Sequence, residues 1–379
     1  MGKLELYYNT IKYLRSGQVL HQCLGRLRKI FRRLLGRKYN FSLYKEGVPL
    51  QLSAPIDKYE SCRGKEFTFL NIKKRFDGTW DYKDKRIMKV FYPSYYEKFK
   101  CLADKCRHSC CVGWEVGIDP ATLEKYNAIG DESILSRLSC GEIKMREDGR
   151  CPFLRQDGLC RLICDYGDDC ISEICREHPR FYHRVGDRVE MGIGASCEEA
   201  ARLIFASDYA DFSCVNMEIE RPSDTEIDTL AHREKIYAVL ADESATFEEK
   251  IARISAKYEI EGIFEDYAFW NEILANVELL EGEHRAWISL GRIEENTANR
   301  VYYERFFAYL VFRHLTLAES LTDLRARLGF CILLTKILMS HAKGDLEGTL
   351  EIARIISEEI EYSEENTENL IFEIECKIL

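Results

Sequence analysis

The sequence predicts a mainly α-helical protein. It places an irregular, cysteine-rich metal-binding core with short β-hairpins ahead of an all-helical C-terminal domain, and a small irregular basic extension in front of both. Three observations carry this. Twelve of the sixteen cysteines lie between Cys101 and Cys214. Beyond about residue 225, apolar side chains recur at helical spacing under repeated helix-start signals. Residues 1-50 hold eleven Lys and Arg against Glu5 and Glu46, although the whole chain carries a net charge of −10. The boundaries that follow are a basic extension over 1-87, a cysteine-rich domain over 88-224 and a helical domain over 225-379. With 379 residues, 46% of them hydrophobic, the chain can bury a sizeable core.

The longest apolar stretch, Leu328 to Leu334, is fenced by Arg327 and Lys336. It falls far short of the ~20 residues a membrane span needs. The first residues hold no apolar run ahead of a small-residue cleavage site, which points to a cytoplasmic protein. In a reducing compartment, sixteen cysteines read as metal ligands or reactive thiols rather than as disulfides.

Taken in order, residues 1-40 suggest helix, with a basic amphipathic segment over 26-38. Residues 41-86 suggest irregular or short-strand structure, because Gly47, Pro49, Pro55, Gly64 and Gly78 interrupt them. Asp119 followed by Pro120 is a helix start, since the carboxylate can cap free amides and proline suits the first helical position. Hairpins are expected over 142-154 about Asp148-Gly149 and over 180-192 about Gly186-Asp187. Ser196 with Glu199 has capping-box spacing, which puts Cys197 in the first turn of a helix, where amides favour a thiolate. Thr246 with Glu249, and Ser363, start later helices. Between them Val301, Phe306, Phe307, Leu310, Val311 and Leu315 fall near a 3.6-residue period. The acidic surface of 345-379 disfavours nucleic acid as a partner.

The richest passage is FKCLADKCRHSCCVGWEVGID, in which Cys101, Cys106, Cys110 and Cys111 occur within eleven residues. The residues between them are polar, so core packing does not explain them, and soft thiolates select zinc or iron-sulfur centres. Cys151, Cys160, Cys175 and Cys197 add four more thiols. Eight exceed the four ligands of a structural zinc or a cubane iron-sulfur cluster. Either two centres exist, or one centre has reserve thiols around it. Cys140, Cys164, Cys170 and Cys214 are weaker candidates. His108, His178 and His183 are alternative ligands, and Trp114 reads as a lid over the metal.

These residues carry a resemblance. FYPSYYEKFKCLADKCRHSCCVGWEVGID, CPFL with DGLC, ISEICREHPRFY and ASCEEAARL are similar, in that order, to the flagellin lysine N-methylase family over about 88-379. The resemblance implies an enzyme that transfers methyl groups from S-adenosylmethionine to lysine ε-amines of flagellin or a similar lysine-rich protein, with a 4Fe-4S cluster, zinc being the alternative metal. It places Cys101, Cys106, Cys110, Cys111, Cys151, Cys160, Cys175 and Cys197 on the family's metal-binding positions. It assigns no catalytic or S-adenosylmethionine-binding residue. Residues 1-87 weakly resemble the leader of heparinase II/III-type lyases and read as a fused remnant without lyase activity.

A lysine amine attacks a sulfonium methyl only when deprotonated, so the chemistry itself needs no metal. No glycine-rich dinucleotide turn is present, and Cys106 and Cys110 fall one cysteine short of a radical CxxxCxxC motif, Gly113 standing in the third position. The competing reading is a non-catalytic zinc or iron-sulfur scaffold, or an electron-transfer module.

Overall fold

The computed structural model describes Glu66–Phe69, Ile72–Arg75 and residues 86-379, apart from 186-187, 220-226, 294-298 and 343-344. The chain divides into two units, Met1–Tyr82 and Lys83–Leu379. In the first, strands β1 (Glu66–Phe69) and β2 (Ile72–Arg75) pair antiparallel. The helix expected over residues 1-40, with its basic segment 26-38, lies outside the described residues.

The second unit is mostly helical, with a small mixed sheet. Strand β3 (Arg86–Pro93) is central in the sheet. It pairs antiparallel with β8 (Phe212–Ile219) and parallel with β7 (Arg188–Ile193), and β6 (Arg180–Val185) closes a hairpin onto β7. The expected hairpin over 180-192 is therefore formed, with its tip outside the described residues. The one expected over 142-154 is replaced. Short strands β4 (Leu138–Ser139) and β5 (Glu142–Ile143) pair instead about Cys140 and Gly141, both with positive φ. Two successive left-handed residues are what a tight hairpin turn demands. Gly149 also has a positive φ, but it serves a tight turn in which Gly149 N donates to Arg146 O.

Helices α1 (Pro120–Ile129), α2 (Glu132–Leu135), α3 (Arg161–Tyr166) and α4 (Glu173–Glu177) fill the cysteine-rich stretch. As the sequence implies, Asp119 caps α1 by accepting from Thr122 N, and Pro120 opens it. Next come α5 (Glu198–Ala206), α6 (Thr229–Leu240), α7 (Phe247–Tyr258) and α8 (Tyr267–Ala275). Cys197 is itself the cap of α5 rather than a member of its first turn, because the chain is still extended there (φ −89°, ψ 129°). The Thr246–Glu249 capping box of α7 forms as expected.

The core lies around α9 (Arg300–His314) and α10 (Leu321–His341). The stretch Leu328–Leu334 is buried at the centre of α10, and among the described residues no helix is long and apolar enough to cross a membrane. Helices α11 (Leu346–Ile356) and α12 (Glu364–Ile378) follow, joined by a π-turn over Ser357–Glu361. One buried cluster joins Tyr95 and Phe99, the Ile193–Phe205 stretch and the C-terminal helices. A separate one holds only Val116, Tyr126, Ile134, Ile143, Leu162 and the Cys151–Leu154 segment.

Candidate metal centre

The eight thiols of interest fall into two neighbourhoods. The first gathers at the start of α5. Arg107 donates from its backbone N (2.9 Å) and its Nε (2.8 Å) to the Glu198 carboxylate, clipping the 101-111 loop to that helix. Cys106 Sγ consequently lies 3.7 Å from Glu198 Oε2 and donates to His108 O at 3.0 Å. Cys197 packs on the large helical core. Burial pushes its thiol up to about 11, against the pull of the Ala200 and Glu199 amides, and Cys106 and Cys101 are close enough to add to the rise. Cys110 faces the same group, with Cys101 and Cys197 within electrostatic reach.

The loop that presents Cys197 is held from behind. Gly194 N donates to Pro179 O (2.8 Å), Ala195 N to Tyr309 Oη (3.0 Å), and Tyr362 Oη to Pro179 O (3.1 Å). A Cβ on Gly194 would press on Tyr362 Oη and fall 2.6 Å from Arg313 Nη1, so a larger residue would have to displace these side-chain ends. Behind it, the fully buried Glu361 accepts from Tyr309 (3.0 Å) and His314 (2.7 Å) beside Arg313. Burial pushes the Glu361 carboxyl up, but Arg313 and the His314 hydrogen bond outweigh it and hold it at about 2.

The second neighbourhood packs on the small core, where Cys151 is buried and Cys111 and Cys160 lie against it. Cys151 N donates to Cys111 O (2.8 Å), and Leu154 bridges to Cys160. Cys160 caps α3, and its thiol, raised by burial, is pulled back by the amides of Ile163 and Leu162. Cys175 rides on α4, whose start is tied to α1 because Asp119 Oδ2 accepts from Glu173 N (2.9 Å). Burial also raises Cys175 and Cys151, the latter to about 11. Cys111 and Cys160 add to both rises, and Cys175 to that of Cys151.

Cys110 and Cys111 link the two groups. The sequence suggests that their side chains diverge, whereas their sulfurs share a hydrogen bond, which raises Cys110 and lowers Cys111. Unbound, most of these thiols would keep their protons. A soft cation reverses this, since a coordinating thiol is deprotonated outright.

The alternative ligands lie elsewhere. His108 pairs with Glu351 (2.9 Å) on α11, and Arg107 also reaches Glu347 (3.1 Å). Burial lowers His178 to about 4, and its ring sits with Trp114 and Tyr362 in an aromatic group. His183 is half-buried beside Arg313 and His314, and the desolvation of its ring holds it at about 3. Cys140 and Cys214 are exposed and stand apart, while Cys164 and Cys170 flank the second neighbourhood.

No signal in the sequence marks the π-turn, which buries Glu359 and Glu361 and half-buries Glu358. A π-turn breaks the 3.6-residue register on which sequence reading depends. Among the described residues, the metal-ligating group whose ligand atoms all lie within 4.8 Å of one another is His284, Glu358 and Glu359; no three cysteine sulfurs do. That acidic group is already occupied by protein donors. Glu359 accepts from His284 Nδ1 and from the Leu280 and Glu281 amides, and Arg354 donates to Glu358 at 2.6 Å.

Three curated proteins resemble the chain. A Lysine-N-methylase of Salmonella typhimurium and another of Salmonella choleraesuis are each 30% identical over 128 residues, which is 30% of this chain and 32% of theirs. The flagellar biosynthetic protein FliU of Salmonella muenchen is 30% identical over 128 residues, covering 76% of its length. The chain thus spans about a third of the length of the two methylases it matches. None of these supports a lyase origin for residues 1-87. No family model and no solved structure matches.

Proposed function

This chain belongs to the family of the flagellar biosynthetic protein FliU, and on that premise we propose that it is a protein-lysine N-methyltransferase. Its methyl donor is S-adenosylmethionine, its substrate flagellin or a similar lysine-rich protein, and its cofactor a cysteine-ligated iron-sulfur cluster. The observation that carries the reading is the convergence of Cys101, Cys106, Cys110 and Cys197 from two separate stretches at the start of α5. The methylase names of two relatives supply the reaction.

Four thiols suit either metal, zinc needing them closer together than a cubane does. Around one zinc at ~2.3 Å, tetrahedral thiolates stand about 3.8 Å apart. No three cysteine sulfurs among the described residues come within 4.8 Å of one another. A cubane spreads its ligands wider because each thiolate binds a different corner. When bound, such a cluster would supply one-electron chemistry.

The chain's own residues do the rest. Amides at the start of α5 face Cys197 and favour negative charge on its sulfur, while Arg107 pairs with the Glu198 carboxylate that lies beside Cys106 and would otherwise oppose charge there. Glu347 and Glu351 on α11 border this edge through Arg107 and His108. They offer a carboxylate surface to an approaching lysine ammonium. Alignment of the amine with the methyl group then accounts for most of the rate. The test is anaerobic purification, metal analysis and incubation of flagellin with labelled S-adenosylmethionine. Label in lysine is expected from iron-loaded protein. Loaded protein that leaves flagellin unlabelled would overturn the activity and leave a metal-binding scaffold.

A further inference from the structure

We propose that the chain carries two metal centres: besides the one on Cys101, Cys106, Cys110 and Cys197, a second, structural iron-sulfur cluster is held by Cys111, Cys151, Cys160 and Cys175. This rests on the reading that the thiols bind iron, and it adds a site with a different task.

The members of the two sets that pack on a core pack on different ones. Cys197 packs against the large helical cluster, whereas Cys111, Cys151 and Cys160 pack with Val116, Tyr126 and Phe153 in the small one. The second set is drawn together by backbone, through the Cys151 N to Cys111 O bond and the Leu154–Cys160 bridge, and the Asp119 tie holds the start of the helix that carries Cys175. Cys110 and Cys111 are consecutive and their sulfurs share a hydrogen bond, so they stand where the two sets meet, Cys110 within electrostatic reach of Cys101 and Cys197, and Cys111 within reach of Cys151, Cys160 and Cys175. One cubane takes four thiolates, so a single cluster would leave half of them unused.

A second, independent observation points into the site. Tyr126 is fully buried, and its hydroxyl has no hydrogen-bond partner in the protein. The Cys175, Cys160, Cys170 and Cys151 thiols lie within electrostatic reach of it but beyond hydrogen-bonding distance. A buried phenol left without a partner is costly, and a cluster bound among these thiols would bring a sulfur acceptor towards it. The surroundings also argue for a structural task. The lobe from Cys111 to Cys175 buries eight side chains in its own core. So few rarely hold a small unit folded without a metal or disulfide staple.

The full chain, purified anaerobically, is expected to hold about eight iron and eight acid-labile sulfide, four for each cubane. Cys101→Ser combined with Cys197→Ser should leave about half of both, with one reduction wave surviving. Wild-type protein with about four iron, zinc in place of half the iron, or complete loss of iron in this double variant would overturn the proposal. Tyr126→Phe keeps the fold and all eight thiols. It should move one reduction wave to more negative potential at unchanged iron content, because a donor to the sulfurs has gone; no movement of either wave would overturn the assignment. Eight iron without methylation of flagellin would leave the two centres standing and remove the activity, and methylation with about four iron would do the reverse.

Discussion

Helices α9 and α10 bury eleven and fourteen of their residues, while the whole lobe between Cys111 and Cys175 buries eight in its core. The helical region is held by apolar area removed from water, at ~25 cal/mol for each Å². The lobe is held by turns, caps and single side-chain ties: Asp119 joins α1 to α4, and Arg161 reaches Asp131 at 2.8 Å. Thiols stand where a core would otherwise be. On the proposed assignment, metal and fold are coupled in the lobe and independent in the helices.

The largest expected effect tests that separation directly. Stripping iron with a chelator under reducing conditions should abolish hydrogen-exchange protection across 111-175 and leave the protection of α9 and α10 intact. Structural metal sites contribute about 10 kcal/mol in small domains, more than this lobe's apolar core can replace. A lobe that stays protected without metal would break the comparison.

Next in size is the buried polar cluster that fixes the Cys197 loop from the helical side. Glu361→Ala leaves the Arg313 guanidinium buried without its carboxylate, and removing one partner of such a pair costs about 3–5 kcal/mol. Chemical denaturation should show that loss in the helical unit. Because Tyr309 Oη accepts from Ala195 N and donates to Glu361, the variant should also perturb the spectrum of the centre that uses Cys197. The lobe's own protection should stay unchanged.

What could be read from the sequence follows the same division. Helix starts were legible because capping is local: Asp119, Thr246 and Ser363 each accept from an amide three residues on. The eight candidate cysteines stood out by their number and polar setting. Their sorting into two groups was not legible, since it depends on which core each segment packs against. The misplaced hairpin has a similar cause. Asp148-Gly149 has the stronger turn signature, but Cys140 and Gly141 adopt the left-handed pair, and the Gly149 turn is used to bring Arg150 and Cys151 alongside Cys111 and Val112. Strand β8 escaped notice because its sheet partners, Arg86–Pro93, lie more than a hundred residues earlier.

Acid should separate the two regions further. His183 is held at about 3, below its ordinary 6.5, because burial and the nearby His314, Arg313 and Arg327 disfavour its protonated form. The unfolded chain therefore binds the proton more readily. His183 should make the helical unit lose stability as pH falls from 6.5 through about 3, by about 1.4 kcal/mol per unit at most, and His178, held at about 4, adds a second loss in the same window. Glu361 adds a loss in the lower window, from 4.5 towards 2. His183→Phe removes a buried ring nitrogen that has no partner and should flatten the profile of denaturation midpoint against pH above about 4.5. An unchanged slope would assign the acid sensitivity to other groups.

The smallest effect is the sharpest control. Thr246 caps α7, its hydroxyl accepting from Glu249 N while its own backbone N donates to the Glu249 carboxylate at 2.8 Å. Thr246→Ala removes one half of this box and should cost about 1 kcal/mol. Thermal unfolding of the helical unit should drop by a few degrees. Iron content and exchange protection over 111-175 should stay as in the parent, because α7 contributes no thiol and packs only on the large core. A fall in iron with so mild and distant a change would mean that the lobe draws its stability from the helices, and that the two regions are a single cooperative unit.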